Sequence, residues 1–186
     1  MSTNVPEKLL AIVNDIEQTG SASLTRLTVL KKWFEHPGRL PAFALWVARK
    51  AVSRNGKSTG ITAELFAAAE SWLASVDFSR MLPFNPEEAE SLLLRLRHFQ
   101  NDHVRGAWGP VRQIKNGNLL LIEKCLTICL HPQPMATNGY RLAADYCEHY
   151  DPRYGNSLNG PSSTKICEIV RLMLAVEAYE QNEARS

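Results

Sequence analysis

Asn118-Leu119-Leu120-Leu121-Ile122-Glu123-Lys124-Cys125-Leu126-Thr127-Ile128-Cys129-Leu130 is the stretch whose reading decides the fold. Wound as an α-helix, it carries Leu119, Leu120, Leu121, Ile122, Leu126, Ile128 and Leu130 on most of its sides. A helix apolar all round must be covered by neighbours in several directions. The spacing therefore predicts a buried central helix over 118–130, with Leu120, Leu121, Leu126 and Ile128 mostly withdrawn from water. Glu123 and Lys124 are the two charges in this run, and each must leave at an edge or find a counter-charge.

Outward from this helix, the chain is punctuated by glycine and proline. The breaks fall at Gly20, Pro37-Gly38, Asn55-Gly56, Gly60, Pro83 and Pro86, between Gly106 and Pro110, at Asn116-Gly117, at Pro132 and Pro134, and between Pro152 and Pro161. Between them apolar residues recur at helical spacing. Examples are Leu9, Val13 and Ile16; Phe43, Trp46 and Val47; Leu92, Leu93, Leu96 and Phe99; and Ile166, Ile169, Val170 and Met173. No comparable run alternates with period two. Asn85-Pro86-Glu87-Glu88 reads as a helix start, with a capping Asn and Pro at the first helical position. Ser23 and Thr62 are further cap candidates. These signals predict helices near 5–18, 23–35, 40–54, 62–76, 86–101, 118–130, 138–150 and 162–182. The expected architecture is all-α: one domain over 1–186, an irregular bundle of about eight helices around the 118–130 segment.

Composition agrees with a packed globular chain: 186 residues, 45% hydrophobic and 22% charged. No run approaches the ~18 apolar residues of a membrane span. Met1 to Glu7 has neither a basic nor an apolar leader segment. A cytoplasmic setting with reduced thiols is the expectation, and four cysteines in a chain of this length do not form a disulfide framework.

Charge is unevenly spread. Residues 26–57 hold Arg26, Lys31, Lys32, Arg39, Arg49, Lys50, Arg54 and Lys57 against Glu35 alone, a local +7 in a chain whose net charge is +2. Segregated charge steers association with an oppositely charged partner. Lys31, Lys32, Arg39, Arg49, Lys50, Arg54 and Lys57 are thus candidate partner-binding residues. The partner class is an acidic protein surface or nucleic acid. A helix-turn-helix fits poorly, because the second helix of that motif reads bases with its N-terminal part. Here that part is Pro41, Ala42, Phe43 and Ala44. A second basic group, Arg95, Arg97, Arg105, Arg112 and Lys115, is interleaved with Phe99 and Trp108, and Arg–aromatic mixtures can stack single-stranded bases. Nucleic-acid binding through 26–57 and 95–115 is therefore one alternative. The plainer reading of the first group is an ordinary solvated surface, and that of the second places Phe99 in the core stripe with Trp108 capping it from the loop.

A different alternative is an enzyme or small-ligand binder built on the loops 102–117 and 151–161. Its candidate residues are His98, Asp102, His103, Trp108 and Arg153. His98 and Asp102 are one helical turn apart and could share a proton. No nucleophile or third ligand stands at a fixed spacing from them, so no catalytic residue is assigned. Cys125, Cys129, His131, Cys147 and His149 lack the turn-borne CxxC of structural zinc sites, so no metal or other cofactor is expected. Ala51-Val52-Ser53-Arg54-Asn55-Gly56-Lys57-Ser58 ends like a phosphate-binding loop, but Ala51 replaces its first glycine and a helix precedes it where a strand is required. The sequence as a whole reads as a non-enzymatic interaction or regulatory protein that uses the basic segment.

Overall fold

The computed structural model describes residues 5–20, 31–36, 38–54, 59–76, 85–105, 117–131, 136–148 and 161–183. Among them are eight α-helices and no strand: α1 Val5–Thr19, α2 Lys31–Phe34, α3 Arg39–Ser53, α4 Ile61–Ala74, α5 Pro86–Arg105, α6 Gly117–Leu130, α7 Ala136–Glu148 and α8 Pro161–Glu183. The protein is an all-α helical bundle with irregular packing, as the 3.6-residue periodicity implies. Its chain divides into two compact units, one formed by residues 38–133 and the other by 1–37 with 134–186.

In the 38–133 unit, α6 is the central element and packs against α3, α4 and α5. Leu119, Leu121, Ile122, Cys125, Leu126 and Cys129 are buried. Leu120 and Ile128, expected with them, are only half-buried. Leu120 and Ile128 fall on the same side of α6, which among the described residues is partly exposed. Glu123 meets the guanidinium of Arg97 on α5, with Arg97 Nε 3.5 Å from Glu123 Oε1. The neighbouring helices supply Phe43, Ala44, Val47 and Ala48 from α3, Leu65, Phe66, Ala69 and Trp72 from α4, and Ala89, Leu92, Leu93 and Leu96 from α5.

Local starts follow the residues. Asn85 caps α5: its Oδ1 accepts from the backbone N–H of Glu87 at 3.1 Å and of Glu88 at 3.2 Å. Thr62, a cap candidate by sequence, is instead inside α4, which begins one residue earlier after Gly60. Gly60 has φ +58, and Gly38, which precedes α3, has φ +83, conformations that L side chains rarely adopt. Helix α5 runs to Arg105, four residues beyond the expected end, so 102–105 are helical rather than loop. The predicted 23–35 helix is described only over Lys31–Phe34, and Ser23 lies outside the described residues.

In the other unit, α1 lies along α8, α2 packs on α7, and α7 packs on α8. Leu9, Ile12, Val13 and Ile16 of α1 are buried, as are Ile166, Ile169, Val170 and Met173 of α8. Trp33 and Phe34 meet edge to face, with centroids 5.3 Å apart.

Candidate functional site

Helix α3 has a dry side and a charged side. At ~100° per residue, Leu40, Phe43, Ala44, Val47, Ala48 and Ala51 turn into the core. Arg39, Ala42, Trp46, Arg49, Lys50 and Ser53 then fall along the opposite stripe, which Arg54 continues at the C-cap. Arg49 and Ser53 are exposed; Arg39, Trp46, Lys50 and Arg54 are partly exposed. The helix contains no Asp or Glu. Trp46, which periodicity assigns to the core, is therefore half out of it, set among cations.

The indole of Trp46 has a neighbour one turn to either side. Phe43 stacks with it, centroids 5.9 Å apart and planes 19° from parallel. Lys50 holds its ammonium over the ring, 5.4 Å from the centroid. A cation over an aromatic face is favourable by ~0.5–1 kcal/mol at exposed sites. The effect is to hold the Lys50 head along the stripe. Such an array can pair with carboxylates or phosphates; it has no nucleophile, acid or base set for chemistry.

The other basic residues are distributed differently. Lys31, half-buried, and Lys32, exposed, belong to α2, and thus to the other compact unit. The 26–57 segment passes from one unit to the other between residues 37 and 38. Lys57 lies outside the described residues. Of the second basic group, Arg95 is exposed and Arg97 serves as the counter-charge of Glu123. Arg112, Lys115 and Trp108 lie outside the described residues, as does Arg153. His98 is exposed on α5, one turn before Asp102; the side chains of Asp102 and His103 are outside the description.

All four cysteines are buried and none is in a disulfide. Burial pushes the Cys125 thiol well up, reinforced by Cys129, and pushes Cys129 up to about 12. Burial also raises Cys167, against an opposing pull from Arg171. Thiols held protonated are poor nucleophiles and poor metal ligands. Among the described residues no three of His, Cys, Asp and Glu gather where a metal ion could be held. Among the same residues no helix is long and apolar enough to cross a membrane.

One polar cluster escaped the sequence reading. Tyr146 of α7 donates its hydroxyl to Glu168 Oε2 of α8 at 2.9 Å, and the buried Lys165 sets its ammonium 5.8 Å from the Tyr146 ring centroid. The signal was present: Lys165 stands four and eight residues before Ile169 and Met173, on the apolar stripe of α8. No protein-family model, curated protein or solved structure matches this chain.

Proposed function

We propose that this chain is a non-enzymatic interaction protein that docks an acidic protein surface on the stripe of α3 formed by Arg39, Trp46, Arg49, Lys50 and Arg54. The observation that carries this reading is the gathering of four cations and a partly exposed indole on one side of a helix without acids. Lys31, Lys32 and Lys57 are not needed for it.

Two features favour a protein surface over nucleic acid. Phe43 and Lys50 flank Trp46 along the helix, which disfavours base stacking on the indole. The 38–133 unit also carries twelve Lys or Arg against eight Asp or Glu, a net +4, and five of those acids (Glu64, Glu70, Glu87, Glu88 and Glu90) are on α4 and the start of α5. Those carboxylates oppose an extended polyanion spread over the unit, while α3 itself carries no acid to oppose a short acidic segment seated on it.

The test is fluorescence anisotropy with a labelled oligo-glutamate peptide and with labelled single- and double-stranded oligonucleotides, at several salt concentrations. The wild type should bind the peptide at low salt, and R49Q/K50Q/R54Q should abolish that binding while circular dichroism shows the helices intact. Tighter binding to an oligonucleotide, with a log–log salt slope that falls by roughly 0.7–0.9 per cation removed, would establish the nucleic-acid alternative instead. Binding to none of the probes would overturn the reading.

A further inference from the structure

The complement of the α3 stripe is present in the same unit, on the outer side of α5. Ala89, Leu92, Leu93 and Leu96 face the core from that helix. Glu87, Glu90, Ser91 and Leu94 are exposed on the side away from it, and Leu94 is one of the few large apolar residues among those described with half its surface in water, 51%. The helix thus presents a leucine preceded by two carboxylates, one and two turns back. Helix α3 presents a tryptophan followed by cations one and two turns on.

We infer that the α3 stripe docks the first half of α5 on a second copy of this chain, the two helices running antiparallel. This rests on the interaction role proposed above and names the partner. With Trp46 against Leu94, the positions match along both axes. At ~1.5 Å rise per residue, Lys50 and Arg54 lie ~6 and ~12 Å beyond Trp46, while Glu90 and Glu87 lie ~6 and ~10.5 Å back from Leu94. Lys50 therefore meets Glu90, and Arg54 meets Glu87. Beyond Trp46 in the other direction, His98 falls opposite Ala42, so no cation of α3 is opposed there. The antiparallel arrangement also sets the positive N-terminal end of α5 against the negative C-terminal end of α3. A parallel arrangement would bring Arg97 and His98 to Arg49 and Lys50, like charge against like. The two opposed stripes are different patches, so each copy has one to give and one to receive. Such contacts are either reciprocal in a two-fold dimer or propagate head to tail.

One helix pair is a small contact, in the class of weak, transient interfaces, and its ion pairs are exposed and screened by salt. Self-association is therefore expected to grow with concentration and to weaken between about 20 mM and about 300 mM salt. Sedimentation equilibrium of the full chain measures it. K50E and E90K should each weaken association roughly tenfold. The K50E/E90K double variant, in which every copy carries the swapped pair, should recover it to within about threefold of wild type. Recovery is the decisive readout, because a merely structural role for either residue predicts two losses that add. R54E, E87K and their combination give a second cycle at the neighbouring pair. Unchanged circular dichroism of each variant keeps misfolding apart from loss of contact. A wild type that stays monomeric at low salt and high concentration overturns the inference, as does a double variant no better than its singles. If a monomeric wild type still binds oligo-glutamate through Lys50, only the identity of the partner falls. If it binds neither, the interaction role falls as well.

Discussion

Replacing Gly139 by Ala should destabilise the protein, although helix propensity alone says the opposite. Gly139 is buried inside α7, where glycine costs ~0.5–1 kcal/mol relative to alanine. A Cβ built on it presses into the ring of Phe34 well inside van der Waals contact, and its three nearest atoms are all carbons of that ring. Phe34 is only 2% exposed and has Trp33 at its edge, so it has little room to retreat. Forcing a methyl into a packed site costs ~1–3 kcal/mol. Set against the propensity gain, the net loss for G139A is up to ~2.5 kcal/mol. Phe34→Ala by itself costs ~3–5 kcal/mol. In that background the ring is gone and only the propensity term remains, so adding G139A should stabilise by ~0.5–1 kcal/mol. The two substitutions thus couple by ~1–3 kcal/mol, the range expected of residues in direct contact. Urea unfolding of the four proteins, read as midpoints at constant slope, measures this. If G139A raises the midpoint of the otherwise wild-type chain, the close approach of α2 to α7 is not what keeps this glycine.

Leu126→Ala should cost ~2–5 kcal/mol, because Leu126 is wholly buried in α6, while Leu120→Ala on the partly open side should cost clearly less; equal midpoints for the two would contradict the orientation of this helix. Removing the cap oxygen with Asn85→Ala should cost ~0.5–2 kcal/mol by thermal or chemical unfolding, through the amides of Glu87 and Glu88. Stability should fall in alkali. The folded Cys129 thiol titrates at about 12 rather than 9.0, so above about pH 9 the unfolded chain sheds protons that the folded chain keeps. That contribution is intact below pH 9 and declines by roughly 1.4 kcal/mol per pH unit per thiol until the folded value is reached. C125A/C129A should flatten the slope between pH 9 and 11; an unchanged slope would show that these thiols are not the cause.

The fold was legible in the sequence where burial follows period: the α5 and α8 stripes, the cap at Asn85 and the central position of α6 all follow from residue spacing. Three things were not legible. Leu120 and Ile128 are apolar, and apolar residues are no guide to which side of an all-apolar helix is less deeply buried. Trp46 fits the apolar spacing of α3, yet its indole lies among cations, since an amphipathic ring tolerates both settings. The division between residues 37 and 38 cuts the longest basic segment of the chain, so cations adjacent in sequence are apportioned to two units. Sequence charge counts add residues together; only the helix assignments separate the α2 lysines from the α3 stripe.

The disposition of charge along α3 bears on whether folding or recognition explains it. Cations near a helix C-terminus gain ~0.3–1 kcal/mol from the helix dipole, which accounts for Lys50 and Arg54 without any partner. The same term works against Arg39, the first residue of α3, which sits at the positive end. It is also nearly silent on Arg49, whose exposed head is screened by water. A stability argument would put an acid where Arg39 stands, as α5 does with Glu87 and Glu88 in its own first turn. Helix α5 opens with acids, as the dipole favours; α3 opens with Arg39 and obeys the dipole only at its end. What unites the four cations of α3 is the side of the helix they share, and a shared side is the property that a binding partner can read.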